Sequence, residues 1–221
     1  MKYLIASDIH GSAFWCRKLL TRYEAEQADG LWLLGDLLYH GPRNDLPKEY
    51  SPKKVIAMLN PLKDKMVCVR GNCDAEVDQM VLEFPIMNDI KRLKIPGFLP
   101  EQAQCAAQPA GHGAKPEKAA VGQIRILLTH GHHVNKDSFW LPETEARFGS
   151  IACDFLIYGH FHVPLKTCVQ GVWCLNPGSV SIPKEDSVHS YMIFEDGKFF
   201  WKDMDGNVYD SLALGEDVLY N

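Results

Sequence analysis

The stretch Ser7-Asp8-Ile9-His10-Gly11 directly follows the short apolar run Tyr3-Leu4-Ile5-Ala6. Such a run is typical of a buried β-strand, so Asp8 and His10 are expected just where that strand ends. A carboxylate and an imidazole two residues apart can bind the same metal ion. Because Asp-x-His pairs are also common on protein surfaces, this pair alone is a weak indication of a metal site.

The same arrangement recurs four more times along the chain. Each time an apolar run leads into a polar side chain that can bind metal, with a glycine beside it: Gly35-Asp36, Gly71-Asn72, His130-Gly131 and Gly159-His160-Phe161-His162. In open α/β sheets, the loops that leave the carboxyl ends of strands form ligand sites. We therefore expect seven side chains to converge on one spot: Asp8, His10, Asp36, Asn72, His130, His160 and His162.

Composition limits the classes of function. The 221 residues are 46% hydrophobic and 23% charged, which is typical of a globular protein. This length fits one domain over residues 1–221. The net charge of -5 argues against the broad basic face of a protein that binds nucleic acid through its backbone. An anionic substrate must then be held locally, by metal ions or a few cations.

The cysteine pattern and the apolar runs predict the compartment. Seven cysteines, an odd number without a Cys-x-x-Cys pair, indicate a reducing environment. The chain enters its first strand without a signal-peptide pattern. No apolar run approaches the roughly 20 residues that a membrane-spanning helix needs. These features predict a cytoplasmic protein that does not associate with membranes.

Strand and helix patterns alternate in the first half of the chain. The spacing of apolar residues predicts strands over 3–6, 31–34 and 66–69, and one or two strands within 84–95. It predicts a helix over 13–28, a second that begins at Ser51-Pro52, and a third, capped by Asp74, that carries Val77, Met80 and Val81.

The second half of the chain changes character. Residues 97–122, rich in Ala, Gln, Gly, Pro and Lys, predict a flexible surface insertion within the same domain. Strand patterns return at 124–128 and 155–158, with a partial helix over 139–148 between them. Two hairpins follow, 164–169 with 172–175 and 191–195 with 198–202. We expect an α/β fold of two mixed sheets packed face to face, with helices outside.

Seven potential ligands are too many for one ion. They suit two divalent ions roughly 3.5–4 Å apart, bridged by a carboxylate and by a water or hydroxide. This nitrogen and oxygen donor set without sulfur favours Mn, Fe, Zn, Ni or Co. Two such ions activate the bridging hydroxide and polarise a phosphoryl group, which is the arrangement for in-line hydrolysis of a phosphoester.

In this order, the five motifs resemble those of the calcineurin-like metallophosphoesterases. The likeness is greater still to the small bacterial YfcE-type phosphodiesterases. It spans Lys2 to about Phe194, apart from the insertion. The segments that carry it are 7–12, 40–44, 70–74, 76–80 and 176–183.

The resemblance implies a four-layer α/β/β/α sandwich and the hydrolysis of phosphodiesters, often with manganese. It implies that Asp8, His10, Asp36 and His162 hold one ion. The second ion is then held by Asn72, His130 and His160, with Asp36 as the bridge. Asp36 and Asn72 are accordingly assigned catalytic roles.

Cys73 departs from the wider superfamily, where many members carry histidine directly after the asparagine ligand. The YfcE-type group also has cysteine here. A thiol is poorly matched to protonating a leaving oxygen at neutral pH, so catalysis is expected to depend on the metals and to favour good leaving groups such as aryloxides. Cys73 is nevertheless a candidate catalytic residue and a candidate substrate contact. The alternative is that it only fills space beside the site.

Four further polar residues have two interpretations each. Arg43 and Asn44 either bind a substrate phosphate, Arg43 by its bidentate fork, or hold their own loop in place. His132 and His133 follow His130 closely but are expected behind the ligand set or at the surface, because only one imidazole can occupy the strand exit beside Gly131.

The predicted function is thus a dinuclear metal-dependent phosphodiesterase acting on a small phosphodiester, either as a monomer or as a homo-oligomer. The same ligands also suit a phosphomonoesterase or a nucleotide pyrophosphatase. A third interpretation is a non-catalytic scaffold, as in a eukaryotic retromer subunit that resembles this fold but has a compromised metal centre. Retention of all seven ligand types argues against the scaffold.

Overall fold

The structure, a computed structural model, describes residues 1–96, 123–134, 153–169 and 171–214. Within these ranges eleven strands form two mixed sheets. The strands are β1 (Lys2–Ala6), β2 (Gly30–Leu33), β3 (Met66–Cys68), β4 (Ile90–Pro96), β5 (Gln123–Thr129), β6 (Phe155–Ile157), β7 (Pro164–Val169), β8 (Val172–Pro177), β9 (Ser190–Glu195), β10 (Lys198–Asp203) and β11 (Val208–Ala213).

The first sheet has the strand order β11-β10-β9-β1-β2-β3. β1, β2 and β3 run parallel, and their exits therefore lie at the same edge. β9 pairs antiparallel with β1, and β10 pairs antiparallel with both β9 and β11. The parallel strands β1, β2 and β3 come from the first part of the chain, where strands and helices alternate. β9 and β10, in the antiparallel half, are the second predicted hairpin.

The second sheet has the order β4-β5-β6-β8-β7. Its three central strands β5, β6 and β8 are parallel, and β4 and β7 pair antiparallel at its two edges. β7 and β8 form the first predicted hairpin. Because β5 and β6 are parallel neighbours, His130 and His160 leave the sheet side by side.

The sheets pack face to face around an apolar core. This core includes Trp32 from β2 and the fully buried Phe155 and Phe199 from β6 and β10. Leu31 and Leu33 point the other way, into a second core against the helices. All four residues of β2 are buried, because both faces of this strand are covered.

Helices cover the outer face of the first sheet. They are α1 (Ala13–Ala25), α2 (Pro52–Leu59), a 3-10 helix (Asn60–Lys65) and α3 (Glu76–Gln79). Leu19 of α1 and Leu59 of α2 are buried in the helix-side core. The predicted α/β fold with two mixed sheets is confirmed. The predicted helix over 139–148 and the insertion over 97–122 lie outside the described residues.

The predicted helix after Asp74 is present, but its cap and its length differ from the prediction. α3 has only four residues and starts after Ala75 rather than Asp74. Val77, Met80 and Val81 are 63%, 82% and 45% exposed. The physical reason is that the Asp74 carboxylate accepts hydrogen bonds from the backbone nitrogens of Asp36, Leu37 and Gly71 and is not available as a cap.

The prediction of one or two strands within 84–95 is confirmed by one strand, β4, while Phe84 and Ile86 are buried outside any strand. β11 was not predicted, because its residues alternate between exposed and half-buried and pair only with the edge of β10.

Among the described cysteines, Cys16, Cys68, Cys73, Cys153 and Cys174 are free thiols, and Cys168 is disulfide-bonded. Cys68, Cys153 and Cys174 are buried in the apolar core regions, as their apolar surroundings predict. None of the described helices is long and apolar enough to cross a membrane.

Candidate metal centre

The predicted ligands follow five strands whose exits meet between the two sheets. Asp8 and His10 follow β1, Asp36 follows β2, Asn72 follows β3, His130 follows β5, and His160 and His162 follow β6. Backbone hydrogen bonds continue beyond the strands: His10 N donates to Asp36 O at 2.8 Å, and Gly159 N donates to His130 O at 2.8 Å. Neighbouring exits are therefore held in register.

The backbone at these exits is unusual. Asp8, His10, Asp36, His160 and His162 all have positive φ, between 48° and 69°. Side chains other than glycine pay a steric penalty in this left-handed region, although Asp and His tolerate it better than most. Positive φ at five of the seven predicted ligands indicates that the surrounding fold imposes the turn that aims them inward.

Two glycines are required because the chain passes very close to ligand side chains. A Cβ on Gly71 would overlap Oδ1 and the backbone nitrogen of Asp36. A Cβ on Gly159 would overlap Oγ of Ser7 and lie 2.8 Å from Oδ2 of Asp8. Gly71 thus allows the exits of β3 and β2 to touch, and Gly159 allows the exits of β6 and β1 to touch.

Three imidazoles have their tautomers set by backbone carbonyls. Nδ1 of His10, His130 and His162 lies 2.8, 2.6 and 2.8 Å from the carbonyl oxygens of Tyr39, Leu34 and Ile182. A carbonyl only accepts, so Nδ1 carries the proton and donates it. In the neutral ring, Nε2 then presents its lone pair to the centre, as is usual for metal-binding histidine.

Electron-rich atoms face one another in the first half of the centre. Nε2 of His10 lies 3.3 Å from Nε2 of His162, which lies 3.2 Å from Oδ1 of Asp8. This Asp8 oxygen is buried and makes no hydrogen bond within the described part of the chain. Lone pairs brought this close repel each other unless a cation or proton lies between them. The donor set therefore fits a divalent ion.

The second half shares Asp36 with the first. Oδ2 of Asp36 lies 3.3 Å from Nε2 of His130 and 3.7 Å from Nε2 of His10. Oδ1 of Asn72 lies 3.1 Å from Nε2 of His130. The other Asp36 oxygen, Oδ1, accepts a hydrogen bond from Cys73 N at 2.8 Å. Asp36 Oδ2 is thus placed between the two groups of ligands.

His160 lies beside the second half. Its backbone nitrogen donates to Asp8 Oδ2 at 3.1 Å, and its ring lies edge-on to His130 with centroids 5.1 Å apart. Burial and the neighbouring His130 lower the pKa of His160 to about 4, so its imidazole is neutral at physiological pH. The structure therefore brings all seven predicted ligands together.

Ionisation of the buried groups is strongly shifted. Burial opposes the charged form of His130, but the Asp36 and Asp8 carboxylates outweigh it and raise the pKa of His130 to about 9. For Asp8 and Asp36, burial is likewise outweighed by neighbouring imidazoles, which lower the pKa of both carboxyls. Without metal, a protonated His130 supplies positive charge beside the Asp8 and Asp36 carboxylates.

Sequence reasoning missed the residue that holds two of the loops. The Asp74 carboxylate is 3% exposed and accepts hydrogen bonds from the backbone nitrogens of Asp36 at 2.8 Å, Leu37 at 2.9 Å and Gly71 at 2.7 Å. It therefore links the exits of β2 and β3. Its signals in the sequence were its place two residues after Asn72 and within segment 70–74, which carries part of the family resemblance.

The segment from Asn176 to Ile182 braces the opposite side. Ser181 Oγ donates to Asp8 O at 2.9 Å, and Asn176 Nδ2 donates to Gly159 O at 2.8 Å. Its Ile182 carbonyl orients His162. This segment carries part of the family resemblance, and its contacts show why: it touches the backbone of two ligand loops.

A cavity of about 320 Å³ opens over the centre. The predicted substrate residues Arg43, Asn44 and Cys73 line it, together with Lys184, which sequence reasoning missed. Asn44 also serves its own loop, because its Nδ2 donates to His40 O at 2.8 Å. Both interpretations of Asn44 are therefore compatible with its position.

Three comparisons with known proteins bear on this centre. The calcineurin-like phosphoesterase superfamily domain matches residues 1–197. Phosphodiesterase YfcE of Escherichia coli (strain K12) is 37% identical over 219 residues, which cover 99% of this chain and 95% of YfcE.

Solved structures agree in fold. YfcE, a phosphoesterase from E. coli, has a TM-score of 0.76 and 32% identity, with 97% of this chain and 100% of that chain covered. Wild-type Vps29 complexed with Zn²⁺ from Entamoeba histolytica has a TM-score of 0.55 and 20% identity, covers 97% of this chain and 100% of its own, and shows the shared fold alone. The chain belongs to the calcineurin-like phosphoesterase superfamily, a class of hydrolases that act on phosphoesters.

Proposed function

We propose that this enzyme hydrolyses small phosphodiesters at two divalent metal ions. The observation that carries the proposal is the arrangement of imidazole Nε2 atoms and carboxylate oxygens 3.2–3.7 Å apart, with Asp36 Oδ2 between two groups of ligands. The name of the relative YfcE supports a phosphodiester as the substrate.

The seven residues divide into two sites. Asp8, His10, Asp36 and His162 hold one ion, and Asp36, Asn72, His130 and His160 hold the other. When bound, the two ions supply Lewis-acid activation of water and of the phosphoryl oxygen, the chemistry of in-line hydrolysis. Manganese is the proposed ion, with Fe, Zn, Ni or Co as alternatives for this donor set.

Cys73 remains a thiol in this centre. Burial, together with the Asp36 carboxylate, raises the pKa of Cys73 well above its ordinary value. A neutral thiol is a poor metal ligand and cannot act as a base at neutral pH. Its proton is also too weakly acidic to assist a basic leaving group effectively, so departure of the leaving group depends on that group's own stability.

The substrate series that tests this function contains an aryl diester, the matching aryl monoester and an alkyl diester. We expect the aryl diester to react fastest with the manganese-loaded protein, and the alkyl diester to react far more slowly because no strong acid protonates its alkoxide. Release of chromogenic phenol and metal content per chain are measured together.

Each alternative has its own outcome in that series. A faster reaction with the monoester favours the phosphomonoesterase, and a preference for a dinucleotide pyrophosphate favours the pyrophosphatase. Full metal content without hydrolysis of any ester supports the scaffold. Equal rates for aryl and alkyl diesters contradict the role given to Cys73.

Two cations at the cavity mouth are proposed to bind the substrate's anionic groups. Within the described residues, the side chains of Arg43 and Lys184 have no ion pair, although both line the cavity. The Lys184 backbone nitrogen donates to His162 O at 3.1 Å, so this lysine is tied to a metal ligand loop. Asn44 and Cys73 complete the proposed substrate contacts.

Replacing either cation by glutamine is expected to raise KM by about 5- to 10-fold with little change in kcat, because each supplies a charge-assisted contact to bound substrate. Steady-state kinetics of Arg43→Gln and Lys184→Gln on the aryl diester measure this. Lys53→Gln, which removes the same charge from an exposed position on α2, is the matched control. A fall in kcat at unchanged KM contradicts a purely binding role.

A cytoplasmic location, the homo-oligomer and the absence of extended nucleic-acid binding stay predictions. The five free thiols support a reducing compartment, and the disulfide at Cys168 counts against it. The net charge of -5 and a cavity at whose mouth the described residues place two cations support a small substrate over a long polyanion.

A further inference from the structure

Asp89, His132 and His133 form a second cluster of metal-binding side chains, here named the Asp89 cluster. One ligand atom from each lies within 4.8 Å of the other two, and all three residues are half-buried. The same spread groups Asp8, His10 and His162 in the main centre. The ligand atoms of the Asp89 cluster thus lie within the same distance limit as those of one half of the main centre.

The backbone holds the Asp89 cluster in place. Asp89 lies directly before β4, and the two histidines lie shortly after β5, which pairs with β4 so that Ile90 faces Thr129. Thr129 Oγ1 donates to the Asp89 carbonyl oxygen at 3.1 Å, and Val134 N donates to Gly131 O at 2.9 Å. The second bond closes the turn whose two central residues are His132 and His133.

His132 contains a polar atom without a partner. Its Nδ1 is buried and makes no hydrogen bond to the rest of the described chain. The neighbouring His133 ring lies 3.9 Å away between centroids. Burying an imidazole nitrogen without a hydrogen bond is unfavourable, and coordination of a cation by this nitrogen would remove the penalty.

We propose that the Asp89 cluster binds a third divalent ion, of the Zn²⁺ type, separate from the dinuclear centre. Two imidazoles and one carboxylate are three of the usual ligands of zinc, and water can fill the fourth position. Zinc ligand atoms lie about 3.4 Å apart in a tetrahedral site, so the three side chains must close by a small movement.

The donor set also selects among metals. Nitrogen-rich sites bind Zn²⁺ and Co²⁺ more tightly than Mn²⁺, so the Asp89 cluster is expected to fill with zinc and to stay empty in manganese. The His132 ring lies 5.6 Å from the His130 ring and 6.2 Å from the His160 ring. An ion here ties the start of β4 to the loop that carries His130.

The test is to count bound metal after dialysis at fixed free Zn²⁺ or Mn²⁺, by mass spectrometry of the metals. Wild-type protein is expected to hold three equivalents in zinc and two in manganese. His133→Gln and Asp89→Asn are each expected to hold two in zinc, with an unchanged circular dichroism spectrum. His189→Gln and Asp64→Asn, which change the same residue types elsewhere, are expected to keep three.

Cobalt provides a second measurement on folded protein. Titration with Co²⁺ is expected to give a further increase in the visible d–d absorption of wild-type protein that is missing from both variants. Retention of the third equivalent in both variants, or equal zinc and manganese counts in wild type, overturns the proposal. The expectation that the main centre holds two ions rests on the proposed function. The expectation that wild-type protein binds one more zinc ion than either variant does not.

Discussion

Replacing Asp36 by asparagine is expected to lower kcat/KM on the aryl diester on the order of 10³-fold and to weaken metal binding at both halves of the centre. The substitution keeps the size of the side chain but removes its charge. Asp36 Oδ2 lies 3.3 Å from His130 Nε2 and 3.7 Å from His10 Nε2, whereas Oδ1 accepts from Cys73 N.

An asparagine side chain cannot satisfy both of these surroundings. If its oxygen faces Cys73 N, its amide group points N–H toward the metal ligands and offers no lone pair there. If the amide group is rotated by 180°, its NH2 group faces the Cys73 backbone N–H, and neither of these donors has an acceptor there. Either orientation removes the carboxylate that the two groups of ligands share.

Metal content and steady-state kinetics of Asp36→Asn, at saturating manganese, measure the effect. Asp45→Asn removes the same charge from an exposed position near the cavity loop and is expected to leave both values unchanged. Near-normal turnover of Asp36→Asn with two tightly bound ions would count against the bridge assignment.

The second large effect is expected for Asp74→Asn, which removes a support and no metal ligand. We expect a loss of about 2–4 kcal/mol in the free energy of unfolding and a 10–100-fold loss of metal affinity, because the carboxylate accepts three buried backbone N–H groups. An amide has one oxygen, so at least one of these N–H groups loses its acceptor.

Urea unfolding of the metal-free protein and metal titration measure these two quantities. Asp78→Asn is the matched control, since within the described ranges the Asp78 carboxylate accepts a single backbone hydrogen bond, from Ala75 N at 2.9 Å. Its expected cost is about 1 kcal/mol or less. Excess metal is expected to restore much of the activity of Asp74→Asn but not that of Asp36→Asn, because only the second lacks a ligand. Unchanged stability and affinity in Asp74→Asn would contradict the supporting role.

The candidate ligands of the metal centre could be identified from the sequence because the pattern that marks them is local. A buried strand followed by glycine and a metal-binding side chain can be read within about six residues, and it marked every member from Asp8 to His162. Of His130, His132 and His133, only His130 is fully buried, and its Nε2 lies 3.3 Å from Asp36 Oδ2; its choice as the ligand stays a prediction.

Other features depend on partners far away in the chain. Asp74 looks locally like a helix cap, yet its hydrogen-bond partners include Asp36 and Leu37, which lie 38 and 37 residues earlier. Lys184 reaches the cavity only because its backbone is bonded to the His162 loop. β11 forms through pairing with β10, although its own alternation of exposed residues is weak.

The amino-acid sequence alone determined which side chains follow buried strands, and hence the donor set, the two mixed sheets and the family resemblance. Only the tertiary structure decided which strand exits are neighbours, which oxygen of Asp36 faces the imidazoles, and that Asp89 meets His132 and His133. The reason is physical: hydrophobic period and glycine placement act over a few residues. By contrast, the distance between two ligands depends on strand order and on hydrogen bonds between loops, and these form only when distant segments pack together.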